Sequence, residues 1–261
     1  MFEIELIIYI AIFISGIMFG SFFTLAVYRI PRKENITYVR SHCTSCNHKL
    51  GFLDLIPIFS YIFLGGKCRY CGEKIRIRYL LLEVFSGIVF LSVALTAGLQ
   101  NIPYLCFVYL FMAGMFIIAG IDKENLIIPN GVCIYELCIA LAYIIFKLIF
   151  KESIVDNLCG AIIVPVILFV LDKLIFKLSK DEKKIPIGFG DIKYLSLIGL
   201  MFGFSIQILS IVLSSLIMAI GIIIHKYKEI PWGYYLTIST IIVLIVSPYL
   251  KPLIDLIKIW S

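Results

Sequence analysis

Eight apolar runs, most of them long enough to cross a bilayer, constrain this chain more than any other feature. A hydrocarbon core about 30 Å thick needs roughly 18 or more apolar residues in a helix, which satisfies its own backbone hydrogen bonds there. The runs lie near 4–28, 79–98, 102–121, 132–149, 157–176, 188–203, 204–224 and 232–250. The sixth is short, and is expected to be tilted or partly re-entrant. With 61% hydrophobic residues and a mean hydropathy of +1.04, the chain is too apolar for a soluble domain. The expected fold is an all-α polytopic membrane protein of about eight transmembrane helices. The first run is long and lacks a basic start, so it does not read as a cleavable signal peptide.

Charge orients the runs. Arg29 to Arg78 carries ten of the 23 Lys and Arg residues against three acids, Glu34, Asp54 and Glu73. The positive-inside rule makes this stretch cytoplasmic. Alternation then puts Lys123, the Lys180/Lys183/Lys184 cluster, Lys226 and Lys228 on the same side, with Lys151, Lys251 and Lys258 opposite and both termini outside. This topology and anionic lipid account for the net charge of +6, so it is not read as nucleic-acid binding.

The cytoplasmic loop contains Cys43-Thr44-Ser45-Cys46 and Cys68-Arg69-Tyr70-Cys71, separated by 21 residues. Two such pairs suit a four-thiolate zinc site of ribbon type, with ligands Cys43, Cys46, Cys68 and Cys71. Disulfides are the competing reading, but the cytosol is reducing. A thioredoxin-like site would need one pair at a strand-to-helix turn. His42 and His48 flank the first pair without being needed as ligands. So short a loop has little core of its own, and the metal is expected to supply much of its stability. Between the pairs, Leu55 to Ile62 is apolar enough to dip into the membrane interface or to pack on the helices.

Other features read blandly. Gly20-Ser21 suits close helix packing, Pro31 ends the first helix, and Gly65 and Gly66 read as turn residues. Cys106, Cys133, Cys138 and Cys159 read as packing within apolar spans. Glu83, one turn into the second span, is expected to pair with Arg78 or Lys74, the alternative being that it faces a polar site. No glycine-rich phosphate loop, HExxH helix or nucleophile elbow is present.

Two acids stand apart. Asp191 follows Gly188-Phe189-Gly190 at the start of the sixth run, and Asp122 closes the third. An ionised group there is costly and so points to function. Glycines beside it remove bulk, so another backbone can approach. Although 68 residues separate the two acids, the topology places both at one membrane surface. Paired carboxyls holding one proton can activate a water against an amide carbon and protonate the leaving amine, which is aspartic proteolysis. The rival use is ion or proton coupling in a transporter. Acids near one surface beside a metal-stapled loop favour the protease.

These features together resemble the bacterial type IV prepilin peptidase family of bifunctional leader peptidase/N-methyltransferases. The resemblance rests on Gly20-Ser21-Phe22 with Tyr28-Arg29-Ile30-Pro31, both CxxC pairs, Leu55-Ile56-Pro57 and Gly66-Lys67-Cys68-Arg69. It continues through Arg78-Tyr79 with Glu83, Ile121-Asp122 with Pro129, and Gly188-Phe189-Gly190-Asp191 with Lys193. Departures include Thr24 for a common asparagine, Leu80 for the proline after Arg-Tyr, and Asn130 where a second aspartate often stands. The resemblance implies cleavage of the basic leader of prepilins or pseudopilins after a glycine, at the cytoplasmic face. Methylation of the new N-terminus from S-adenosylmethionine would follow. It implies Asp122 and Asp191 as the catalytic dyad, supported by Gly188, Gly190 and Lys193, and places methyl transfer in the region of Gly66 and Glu83. The alternatives are a leader peptidase without methyl transfer, and the transporter. The implied organisation is a first transmembrane helix (1–28), a cytoplasmic tetra-cysteine domain (29–78) and a membrane-embedded peptidase domain (79–261).

Overall fold

The computed structural model describes residues 2–36, 38, 40–178, 188–225, 230–252 and 254. Among these the chain is helical, apart from turns and two isolated β-bridges. The helices are α1 (Phe2–Arg29), α2 (Phe59–Phe63), α3 (Arg78–Ala97), α4 (Ile102–Asn125), α5 (Asn130–Ile149), α6 (Val155–Leu178), α7 (Phe189–Phe202), α8 (Phe204–His225) and α9 (Trp232–Val246). They divide into two compact units, residues 1–100 and 101–261.

In the first unit α1 and α3 run antiparallel, since Gly16 faces Gly87 while Gly20 faces Glu83. A Cβ on Gly16 would lie 2.9 Å from the Gly87 Cα, and one on Gly20 would lie 2.9 Å from the Glu83 Cα. Only glycine allows backbones this close, and the Ser86 hydroxyl uses the proximity to donate to the Gly16 carbonyl at 2.8 Å. The close packing expected of Gly20 is what the structure has.

The second unit is built on α7, whose Tyr194, Leu195 and Ile198 are fully buried. It packs against α5, α6 and α8, while α4 packs against α5 and α9. The α6–α7 seam is again glycine on glycine: a Cβ on Gly160 would lie 2.8 Å from the Gly199 carbonyl oxygen.

Among the described residues six helices are long and apolar enough to cross a membrane: α1, α3, α4, α5, α6 and α8. The other two of the eight expected runs form shorter apolar helices, the sixth as its length led one to expect. The sixth and eighth runs form α7 and α9, of 14 and 15 residues. At the helical rise these measure about 21–23 Å, short of the hydrocarbon thickness. Gly203, at φ +87°, ends α7 inside the bundle. Two of the carbonyls left open by that early stop are met by α6. Asn157 of α6, 4% exposed, donates to the Leu200 and Met201 oxygens at 2.9 and 3.2 Å, and is itself held by the Lys147 ammonium at 2.9 Å. Gln207 of α8 adds a donor to the Leu195 oxygen, a carbonyl of the α7 interior, at 2.9 Å.

Of the cysteines expected to pack inside spans, Cys133 is buried, whereas Cys106 and Cys138 lie on exposed helix faces. The Lys180/Lys183/Lys184 cluster, Lys226, Lys228 and Lys258, on which part of the charge argument rests, lie outside the described residues.

Candidate active site and four-cysteine module

Asp122 sits in the last turn of α4. That helix stops because Leu126 turns left-handed (φ 57°), returning its N–H to the Asp122 carbonyl at 2.9 Å. The carboxyl is 5% exposed, and its Oδ2 accepts the backbone N–H of Tyr234, at the start of α9, at 2.9 Å. Gly233 makes this possible, because a Cβ there would lie 3.1 Å from Asp122 Oδ2 and 3.2 Å from Ile128 Cδ1.

Asp191 occupies the first turn of α7, with Gly188 as N-cap. The helix dipole favours an anion at this end. A Cβ on Gly188 would lie 2.7 Å from Asp191 Oδ2, so the glycine leaves room for the acid's own carboxyl. Gly190 serves the approach of another segment: its Cβ would meet Ile128 at 3.1 Å. Ile128 thus lies between Gly190 of α7 and Gly233 of α9, with Asp122 just beyond Gly233. The two acids are brought to one end of the bundle, within reach of each other's charge.

Lys193 does not face the carboxyls as an ion pair. Its ammonium donates to Asn130 Oδ1 at 2.9 Å and lies 4.7 Å over the Phe189 ring. Lys123 is likewise turned to Tyr234, 3.2 Å from the phenol oxygen. Both cations border the acids while neutral partners hold them. Deeper in, the Tyr194 hydroxyl meets Thr237 Oγ1 at 2.6 Å, and Thr237 donates to the Gly233 carbonyl at 3.0 Å. This bond ties α7 to the α9 turn that holds Asp122.

Sequence reasoning missed three parts of this arrangement. Gly233 and Tyr234 read only as the start of an apolar run. Ile128, between the third and fourth runs, was given no role. Glu136 of α5, fully buried beside Gly114 and with neither carboxyl oxygen hydrogen-bonded, was passed over. Its signal was available, since it is the one acid inside the run 132–149.

In the first unit the four cysteine sulfurs lie within 4.8 Å of one another. The two CxxC pairs are local copies of one turn. Asn47 donates to the Cys43 carbonyl at 2.9 Å and Gly72 to that of Cys68 at 3.0 Å, both from left-handed backbone. Cys43 N–H pairs with His48 and Cys68 N–H with Glu73, while His42 bridges Lys49 and Lys67 bridges Lys74. Backbone N–H groups of Cys46 and Ser45 hold the Cys43 thiol down at about 6. At Cys71 the Glu73 N–H pulls the other way, yet desolvation and the neighbouring sulfurs push the thiol up to about 12. Four thiolates cannot crowd together without a cation. Zinc–sulfur bonds of about 2.3 Å in a tetrahedron set sulfur–sulfur edges near 3.8 Å, and Cys43 and Cys71 stand 3.8 Å apart. The donor set fits zinc.

Asp54 locks the second turn. It accepts from Arg69 Nε at 2.7 Å, from the Tyr70 hydroxyl at 3.1 Å and from Gly51 N–H at 3.0 Å. Burial pushes its carboxyl up, but these three donors outweigh it and hold the group below the ordinary 3.8. His48 lies against the Tyr70 ring at 3.6 Å, closing the two turns on each other.

Glu83 is 8% exposed, and its partners differ from the expected Arg78 or Lys74. Its Oε2 accepts the Ile58 N–H at 2.8 Å, and the Ser21 hydroxyl also bonds it. Gly66, at φ +68°, packs its Cα on the Tyr61 ring and accepts Ile75 N–H at 2.7 Å. The structure therefore places Gly66 at the second turn and Glu83 below the loop.

Residues 14–97 match the Bacterial Peptidase A24 N-terminal domain, and residues 109–223 match the Type IV leader peptidase family. The join between the two matches coincides with the division between the structural units. A prepilin leader peptidase/N-methyltransferase of Aeromonas hydrophila is 28% identical over 264 residues, 87% of each chain. One of Vibrio cholerae is 29% identical over 90% of this chain and 96% of its own. One of Bacillus subtilis is 32% identical over 74% of this chain and 73% of its own. No solved structure gives a significant match. With both halves matched in order and relatives covered over most of their length, the chain belongs to the type IV leader peptidase family.

Proposed function

We propose that this multi-pass membrane protein cleaves the basic leader from type IV prepilins or pseudopilins at the cytoplasmic face, and methylates the new N-terminus from S-adenosylmethionine. The observation that carries the reading is Asp122 and Asp191 at one end of the second unit, with Gly188, Gly190 and Gly233 clearing space around them. One carboxylate takes a proton from water as the water attacks the scissile carbonyl carbon. The other, protonated, gives its proton to the carbonyl oxygen. As the C–N bond breaks, the first acid passes the proton it took from water to the leaving amine, and the second recovers one from a hydroxyl of the tetrahedral diol. The Tyr234 N–H fixes Asp122, and the α7 N-terminus supports charge on Asp191. Lys193 and Asn130 brace the start of α7 against α5.

Cys43, Cys46, Cys68 and Cys71 would hold a structural zinc, whose charge would keep the four thiolates together. Methyl transfer is assigned to the region of Gly66 and Glu83, because the family resemblance associates it with the cysteine loop to which both residues are joined. The cytoplasmic placement of the cysteine module and of both acids follows from the Lys/Arg asymmetry.

The test is to incubate purified protein in lipid with a prepilin and S-adenosylmethionine, then read the product N-terminus by mass. Loss of the leader with a gain of one methyl is expected. An intact prepilin would refute the reading, and a cleaved, unmethylated product would reduce it to the peptidase alone.

A further inference from the structure

Between the two cysteine turns the chain exposes large apolar side chains that no described residue covers. Phe52 is 82% exposed, Leu53 64%, Phe59 61%, Ile62 62% and Phe63 83%. On a water-facing loop such a patch calls for a partner. The height at which the segment is fastened identifies one. Ile58 N–H is bonded to Glu83 Oε2, and Glu83 lies five residues into the membrane-crossing helix α3. At the helical rise this is about 7.5 Å below Arg78, deeper than the basic residues that mark the headgroup layer.

Three further observations agree. Ile58 takes φ 63° with ψ −55°, a conformation that a β-branched residue adopts only under constraint, so the turn fastened to Glu83 is held and not a relaxed loop. Ile77, Leu81 and Leu82, also exposed, add apolar surface at the start of α3, which lipid must cover if α3 crosses the bilayer. Exposed Lys49, Lys67, Lys74 and Arg76 flank the segment, with the sign that anionic headgroups attract.

We propose that Phe52–Phe63 is an interfacial wedge seated at the headgroup–acyl boundary, its partner being the anionic bilayer itself. Phe59 and Phe63, stacked at 6.4 Å, would lie toward the acyl chains. The wedge is wired to the cysteine module. Asp54 grips Arg69 and Tyr70, and the Tyr61 hydroxyl donates to the Ile75 carbonyl at 3.4 Å. Seating the wedge therefore fixes the height of the module over the membrane. The proposal rests on α3 spanning the bilayer and is independent of the peptidase chemistry.

The test places the photo-crosslinking residue p-benzoylphenylalanine at Phe63, and separately at Phe52, in the full chain held in phosphatidylglycerol-containing nanodiscs. Mass spectrometry then counts lipid adducts. Leu81 is the lipid-facing reference and Ser45 the aqueous one. Both wedge positions should match Leu81 and exceed Ser45 by at least about tenfold, as for side chains below the headgroups. Yields at the Ser45 level would overturn the wedge, and adducts to a prepilin or to a second copy of the chain would reassign the patch to protein docking. Replacing phosphatidylglycerol by phosphatidylcholine should lower the yield at both positions. An unchanged yield would refute the role given to the basic residues.

Discussion

Replacing Asp122 by Asn separates chemistry from folding, because the structure sets the two costs far apart. The carboxyl is 5% exposed and accepts Tyr234 N–H at 2.9 Å, with the Gly233 backbone also facing it. An asparagine keeps the volume and can turn its carbonyl oxygen to Tyr234. What it loses is at most one backbone hydrogen bond, about 1 kcal/mol of stability. The chemical loss is larger. One positioned acid or base contributes about 10²–10⁴-fold, and the dyad must both activate water and protonate the amine. A fall of at least about 10⁴ in cleavage, near 5.4 kcal/mol in the barrier, is therefore expected for Asp122→Asn. Asp191→Asn should fall as far, and the double variant little further, since the two acids work as one unit. The assay is single-turnover cleavage of a prepilin in proteoliposomes, read by mass, alongside the thermal midpoint of each variant. Asp122→Asn cutting within tenfold of wild type while Asp191→Asn is inactive would refute the two-aspartate mechanism. Glu136, buried and unpartnered, would then be the first carboxyl to examine, followed by Glu124 and Glu83.

Three more expectations concern parts away from the dyad. Purified protein should carry about one zinc per chain by elemental analysis, and Cys43→Ser or Cys71→Ser should lower that content and impair methylation more than cleavage; a metal-free wild type with disulfides between these cysteines would contradict the module. Asp54 has its native carboxyl below the ordinary value, so its contribution to module stability is present above pH 3.8 and is lost as pH falls below it. Wild type should thus resist urea-induced zinc release better than Asp54→Asn at pH 6, and an absent difference there would remove the role given to Arg69 and Tyr70. Gly160→Ala drives a Cβ to 2.8 Å from the Gly199 carbonyl oxygen, a backbone atom that cannot swing away. It should cost about 1–3 kcal/mol, visible as a lowered thermal midpoint in detergent, whereas Gly131→Ala, facing open space, should be nearly silent.

The sequence by itself determined the class of the molecule, its four-cysteine module and the candidate dyad. Long apolar runs force helices wherever water is excluded, and four cysteines in two CxxC pairs carry their geometry in their spacing. Asp122 and Asp191 stood out because an acid at the edge of an apolar run is expensive wherever the chain puts it. What only the tertiary structure decided concerns contacts between segments distant in sequence. No local pattern says that Tyr234 would hold Asp122 across 112 positions, that Ile128 would fill the space left by Gly190, or that Glu83 would bind the Ile58 N–H and not a neighbouring cation. Helix length was also undecided in the sequence. The runs that became α7 and α9 read as spans on hydropathy alone, yet α7 stops after 14 residues because Gly203 can turn left-handed and Asn157 of another helix is there to meet its open carbonyls. Hydropathy records what a residue prefers to be near. Where a helix ends inside a bundle is set by which neighbours can satisfy its last backbone groups, and only packing supplies those.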